Sequence, residues 1–268
     1  MDWIESNGVS LRYDLGGNGD QTVVLIHELC GSIESFDEVL PELQKNFQVL
    51  CYDQRGSGLS EKTKTITLDD LVTDLSDLLD ALKIDAACHI AATSLGGAIA
   101  LAFAIRHPEK VKRLAVASPS IRGTSSTLAA REERTKKIET GGMRSSVEAS
   151  LEKSYLDILR NNMERYNRFR NRWLANDPEG FIAKNRVLST LDLTPDLKRI
   201  TCPTLVIGCK YDVIRTPELT REVAKKIPTA KYIEAETGHY MAVQTPELFV
   251  EYILSFFKNN LQSRISKV

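Results

Sequence analysis

What this chain lacks narrows its reading first. In 268 residues no run approaches the roughly 20 consecutive apolar side chains that a membrane-spanning helix needs. The opening stretch, MDWIESNGVSLRYDLGG, has neither the basic segment nor the apolar core of a secretory signal. Net charge is −1, so no excess of one sign points to nucleic acid or an anionic lipid surface. The five cysteines, Cys30, Cys51, Cys88, Cys202 and Cys209, contain no C-x-x-C pair and no metal-ligand spacing. Their odd number suggests a reducing compartment, and Cys51, Cys88 and Cys209 sit in apolar runs where a thiol behaves as a small hydrophobe. Histidine is scarce: only His27, His89, His107 and His239 could serve as an imidazole base. These absences lead to the expectation of a soluble, cytoplasmic monomer or homodimer acting on a small molecule. No nucleic-acid or membrane partner and no metal or organic cofactor is expected.

What is present has a regular order. Apolar runs at 9–15, 22–27, 48–53, 86–92, 111–117, 203–209 and 231–236 read as strands. Helical patterns occupy 33–46, interrupted by Pro41, and 68–82, 95–106, 217–226 and 246–259. Strands alternating with helices mean parallel pairing through right-handed crossovers. Between 122 and 190 no β-rich run occurs; this helix-patterned segment holds 14 basic and 9 acidic residues. Ligands of such sheets sit beyond the carboxyl ends of the strands. That directs attention to His27-Glu28-Leu29, Asp53-Gln54-Arg55, Ser94, Ser118, Asp212 and His239.

Ser94, in HIAATSLGGAIALAFA, lies where a strand turns into a helix, with Ala92 two residues before and Gly96 two after. A nucleophile elbow needs small neighbours there, usually as G-x-S-x-G, because strand and helix meet closely around a strained serine. A plain helix N-cap is the competing reading of that serine. His239 follows the strand at 231–236, and Asp212 follows the buried strand at 203–209. Ser94, Asp212 and His239 stand in the chain order Ser…Asp…His, each just after a different strand. The other acid position, after 111–117, holds Ser118-Pro119 and no carboxylate. Together they suit a serine activated by a histidine that an aspartate orients, with backbone N–H groups of Leu95 and Leu29 as donors to the oxyanion.

VVLIHELCGS, LCYDQRGSGLS, AATSLGG, LVIGCKYDVIRTPE and GHYMAVQTPELF resemble successive landmarks of the α/β-hydrolases. Within them, SFDEVLPELQKNFQVLCYDQRGSGLSE and NDPEGFIAKNRVLSTLDLTPDLKRITCPTLVIG are most similar to 3-oxoadipate enol-lactonases and related small carboxylic-ester hydrolases. The resemblance implies an α/β-hydrolase fold: a core of residues 1–120 and 195–268, a mostly parallel sheet flanked by helices, and an inserted helical cap at 121–194. It implies cleavage of a small ester or lactone through an acyl-enzyme, with Arg55 tying loops together and Asp53 outside the triad. The basic cap offers Arg131, Arg134, Arg144, Arg160, Arg168, Arg170 and Arg172 to an anionic substrate. His27, Glu28, Arg144, Trp173 and Met241 are the pocket candidates. The chain departs from the family's pattern at Glu28, where glycine is usual, at Ala92-Thr93 before the serine, and at Gln244, where glutamate is common. Glu28 either turns away to bond a loop or cap residue or borders the pocket and repels anions. Cleavage of a C–C bond by the same three residues, and a non-catalytic receptor on this scaffold, are the alternatives.

Overall fold

The computed structural model describes residues 1–123 and 125–259. Among them the strands are β1 (Asp2–Ser6), β2 (Val9–Gly16), β3 (Thr22–Ile26), β4 (Gln48–Tyr52), β5 (Cys88–Thr93), β6 (Val111–Ala117), β7 (Thr204–Cys209) and β8 (Ala230–Ala235). They form one sheet in the order β1-β2-β4-β3-β5-β6-β7-β8. β1 and β2 pair antiparallel, as do β2 and β4; every later pairing is parallel.

Both faces of this sheet are covered, as parallel strands require. In β3, Val24 and Ile26 join one apolar cluster while Val23 and Leu25 join the other. The first cluster takes in α2 (Leu68–Ala81) and α3 (Ser94–Arg106); the second takes in α1 (Leu40–Leu43) and α10 (Pro246–Phe257). α3 is buried from Ser94 to Ile105, which explains why its sequence is apolar on every side. α8 (Pro217–Ala224) and the short α9 (Met241–Gln244) complete the core.

β1, the segment 33–46 and the short α9 differ from the sequence expectation. β1 is absent from it, because an edge strand with its side chains mostly turned to solvent carries no apolar alternation. The Asn7-Gly8 turn was the available signal: both residues have positive φ (47° and 71°), the requirement of a tight two-residue hairpin. The expected helix at 33–46 is instead a 3₁₀ turn, Ile33–Phe36, followed by α1, where Pro41 opens the helix rather than interrupting it.

Between β6 and β7 lie α4 (Ser125–Gly141), α5 (Arg144–Ser154), α6 (Met163–Leu174) and α7 (Pro178–Thr190), with no strand among the described residues there. The chain enters and leaves this insert at one neck: Arg122 and Asp192 form an antiparallel bridge, and the Leu193 N–H donates to the Ile121 carbonyl at 2.9 Å. α6 carries two stripes. Tyr166, Phe169 and Trp173 are buried. Arg165, Arg168 and Arg172 face the core's acidic edge, where Arg165 Nε donates to Glu38 (3.0 Å), Arg168 pairs with Glu38 (3.1 Å) and Arg172 lies 3.8 Å from Asp37.

Candidate active site

β5 runs into α3 without a connecting residue. Ser94 sits at that corner with φ +52°, in the left-handed region that strains a residue bearing a side chain. Gly96 explains how the corner closes: a Cβ there would lie 2.3 Å from the Ile26 carbonyl oxygen at the end of β3. The methyl of Ala92 is accommodated two residues before, fully buried between Ile26 of β3 and Val116 of β6.

The three strand-end residues come together. The Ser94 hydroxyl donates to His239 Nε2 at 2.9 Å, and His239 Nδ1–H donates to Asp212 Oδ2 at 2.7 Å. The other oxygen, Asp212 Oδ1, accepts the backbone N–H groups of Ile214 (2.8 Å) and Arg215 (2.9 Å). Burial alone would raise the Asp212 carboxyl, but the neighbouring His239 and the Arg215 N–H outweigh it and hold it down to about 2. An ionised Asp212 fixes the tautomer, with the proton on Nδ1 and Nε2 free to accept from the serine.

Ser94 and His239 open into a cavity of about 250 Å³ that Leu29, Arg131, Arg134, Trp173 and Tyr240 also line. Leu95 is the second residue of α3, so its N–H is one of the helix-start donors without an intrahelical acceptor. Leu29 follows β3, and its N–H has no protein acceptor among the described residues.

Of the pocket candidates, Trp173 lines the cavity and four do not. His27 is locked into the core: Nε2 accepts from the Gln54 N–H (3.1 Å) and Nδ1–H donates to the Glu28 carbonyl (2.7 Å). Burial first, and the Lys184 charge second, push it down to about 3, so it is neutral. Glu28 is fully buried and turned back into its own loop, where Oε1 accepts from the Ser35 hydroxyl at 2.8 Å and Oε2 has no partner among the described residues. Burial raises its pKa. Gly31 leaves the room: a Cβ there would come within 2.6 Å of Glu28 Oε1. Met241 is buried in the core cluster on the other face of the sheet. Arg144 starts α5 on its exposed side.

The insert's arginines divide in the same way. Arg160, Arg168 and Arg170 pair with Asp157, Glu38 and Glu148, and Arg172 donates to the Glu34 carbonyl. Arg131 and Arg134 of α4 are the two on the cavity wall, and neither has an acidic partner among the described residues. Arg131 Nη1 donates to the Leu188 carbonyl (2.6 Å), and Arg134 donates to Asn185 and lies over the Phe181 ring. Burial, then the neighbouring Arg215 and Arg134, push Arg131 down to about 10. Arg55 and Asp53 are structural. Arg55 Nε bonds Asp74 of α2 (2.7 Å), and Asp53 accepts the N–H groups of Ile33 (2.7 Å) and Leu59 (2.8 Å). Gln244 links core to insert: its Oε1 accepts the Tyr240 N–H (2.8 Å) and its Nε2 donates to the Ser154 carbonyl (2.9 Å), which a carboxylate could not do.

The sequence reading missed Tyr240 and Lys184. Tyr240 stacks edge-on to His239 at 4.8 Å on the cavity wall, signalled only by adjacency. Lys184 is fully buried between the insert and the Leu29 loop. Its signal was a lysine on the apolar stripe of a helix, with Phe181 three residues before and Leu188 four after.

The sheet, the sharp turn at Ser94 and the position of the insert define an α/β-fold hydrolase. The chain belongs to the alpha/beta hydrolase fold family, whose model matches residues 21–246. It is 29% identical, over 88% of its length and 90% of the other's, to a Caulobacter protein named "Putative carbamate hydrolase RutD". It is 26% identical to 3-oxoadipate enol-lactonase 1 of Acinetobacter baylyi, over 81% of each chain. The enol-lactonase from Burkholderia xenovorans superposes with a TM-score of 0.90 at 28% identity, over 96% of this chain and all (100%) of that one.

Proposed function

We propose that the protein is a serine hydrolase that cleaves a small ester or lactone bearing a carboxylate or similar anion. The Ser94–His239–Asp212 hydrogen-bonded chain opening into the cavity carries this reading. His239 takes the Ser94 proton as the hydroxyl attacks the carbonyl carbon, and Asp212 stabilises the imidazolium so formed. The N–H groups of Leu95 and Leu29 receive the oxyanion. Collapse of the tetrahedral intermediate expels the alkoxide, which takes the proton from His239 and leaves an acyl-serine; water, activated by His239, then releases the acid. The inserted helices act as a cap that shapes the substrate cavity.

Arg131 and Arg134 support the anionic substrate: one buried and one half-buried arginine, without acidic partners among the described residues, line the space beside the nucleophile. Glu28, folded into its loop, does not oppose them. A carbamate is the second reading, supported by the similarity to the carbamate hydrolases, because the same residues attack a carbonyl flanked by nitrogen. Steady-state kinetics on lactones, p-nitrophenyl esters and carbamates, neutral and carboxylated, test both. Ser94→Ala is expected to lower kcat on the order of 10⁴- to 10⁶-fold; unchanged turnover in that variant sinks the proposal.

A further inference from the structure

Lys184 lies in α7 of the insert, and its side chain is fully buried rather than reaching for water. Nζ donates to the Leu29 carbonyl oxygen at 3.3 Å and to the Ser57 hydroxyl, and among the described residues no carboxylate pairs with it. A buried ammonium without a counter-ion is costly. A methionine of similar length would fill the space without that cost, so packing alone does not account for lysine here.

The partner carbonyl belongs to the residue that supplies an oxyanion donor in the proposed mechanism. Peptide units are rigid, so holding the Leu29 carbonyl restricts the torsions of Leu29 and with them the direction of its N–H. The charge also acts at short range in a poorly polarisable interior. His27, just after β3, is depressed first by burial and then by this charge. A negative oxygen forming in the adjoining cavity is favoured by the same field.

We propose that Lys184 is a positioning residue of the hydrolytic site: from the insert it orients the Leu29 N–H and places its positive charge behind the oxyanion, so the site is complete only with α7 seated. This rests on the reading of Ser94 as nucleophile. The groups facing Lys184 are His27, Glu28 and Cys30 on the loop after β3, and Asp53 and Lys62 beyond β4. Burial pushes His27 down to about 3, raises Glu28 from 4.5, and drives the Cys30 thiol far above its ordinary range. Lys62 is lowered from 10.5, also first by burial. Burial pushes Lys184 itself down to about 8, so it loses its charge in mildly alkaline solution.

The test is the pH profile of p-nitrophenyl acetate hydrolysis by wild type, Lys184→Met and Lys62→Met. Wild-type kcat is expected to fall with a midpoint near 8. Lys184→Met is expected to lose this alkaline limb, with kcat at neutral pH down about 10- to 100-fold and KM within about threefold. Lys62→Met is expected to keep the limb. A Lys184→Met kcat within about threefold of wild type, or a limb lost in Lys62→Met instead, overturns the proposal. If Lys184→Met does not fold, the wild-type profile decides, and a kcat flat through pH 8 overturns it. A wild type inert to the ester, with Ser94 unreactive to a fluorophosphonate, is a separate result that removes the hydrolase reading and this one with it.

Discussion

Asp212 and Glu28 are both buried carboxyl groups, and their surroundings push them in opposite directions. Asp212 accepts three hydrogen bonds and stays ionised down to about 2. Its contribution to stability is present above the ordinary value of 3.8 and is lost as pH falls towards 2. Asp212→Asn keeps the shape but removes the charge that holds His239 in its tautomer. It is expected to lower kcat about 10⁴-fold, and circular-dichroism melts would show an intact fold. Glu28 has one hydroxyl donor and, among the described residues, one oxygen without a partner, so burial dominates and its pKa rises. A raised folded value means that stability is present below the ordinary 4.5 and lost as pH rises through the folded value. Glu28→Gln is therefore expected to melt higher than wild type in neutral solution, with the gap closing as pH falls to about 4.5 and below. A gap independent of pH would rule out the buried-carboxyl explanation. Because Glu28 fills its loop, Glu28→Gly is expected to weaken the fold rather than alter substrate preference.

α4 and α6 show how helices of similar basic composition take different tasks. On α6 the arginines at three- and four-residue spacing form one stripe, and the core offers Glu38, Asp37 and Glu247 opposite it. Each half-exposed pair contributes roughly 0.2–1 kcal/mol. Arg165→Ala, which loses bonds to Glu38, Glu247 and the Gln244 carbonyl, is expected to destabilise by on the order of 1 kcal/mol. Urea titrations at low and high salt should show the loss shrinking as salt rises. On α4 the arginines turn towards the cavity and, among the described residues, bond only carbonyl and amide oxygens. Arg134→Met is expected to raise KM for a carboxylated ester about tenfold or more while leaving a neutral ester nearly unaffected. Equal effects on the two substrates would mean that Arg134 only shapes the cavity.

For the molecule as a whole, strand–helix alternation made the parallel sheet legible, and the positions after each strand made the meeting of Ser94, Asp212 and His239 legible. Those features are periodic or tied to a sharp turn, so they survive in one dimension. β1 was illegible because an edge strand buries too little to impose a pattern. The direction of each arginine was illegible because composition does not say which stripe of a helix meets the core. Glu28 was readable as an anomaly, but its destination depended on Ser35 and Gly31. The neck formed by Ile121, Arg122, Asp192 and Leu193 has a consequence for how such a chain can be altered. Arg122 and Asp192 pair across that antiparallel bridge, so at the neck the whole insert takes the place of one short turn within the crossover from β6 to β7. It is a natural splice point, where a domain of other length or shape could be grafted without shifting strand register. Such a graft would replace more than the walls of the cavity. Lys184 travels with it, so on the roles proposed for the insert and for Lys184, a donor insert lacking that lysine would bring new selectivity and a weaker engine together.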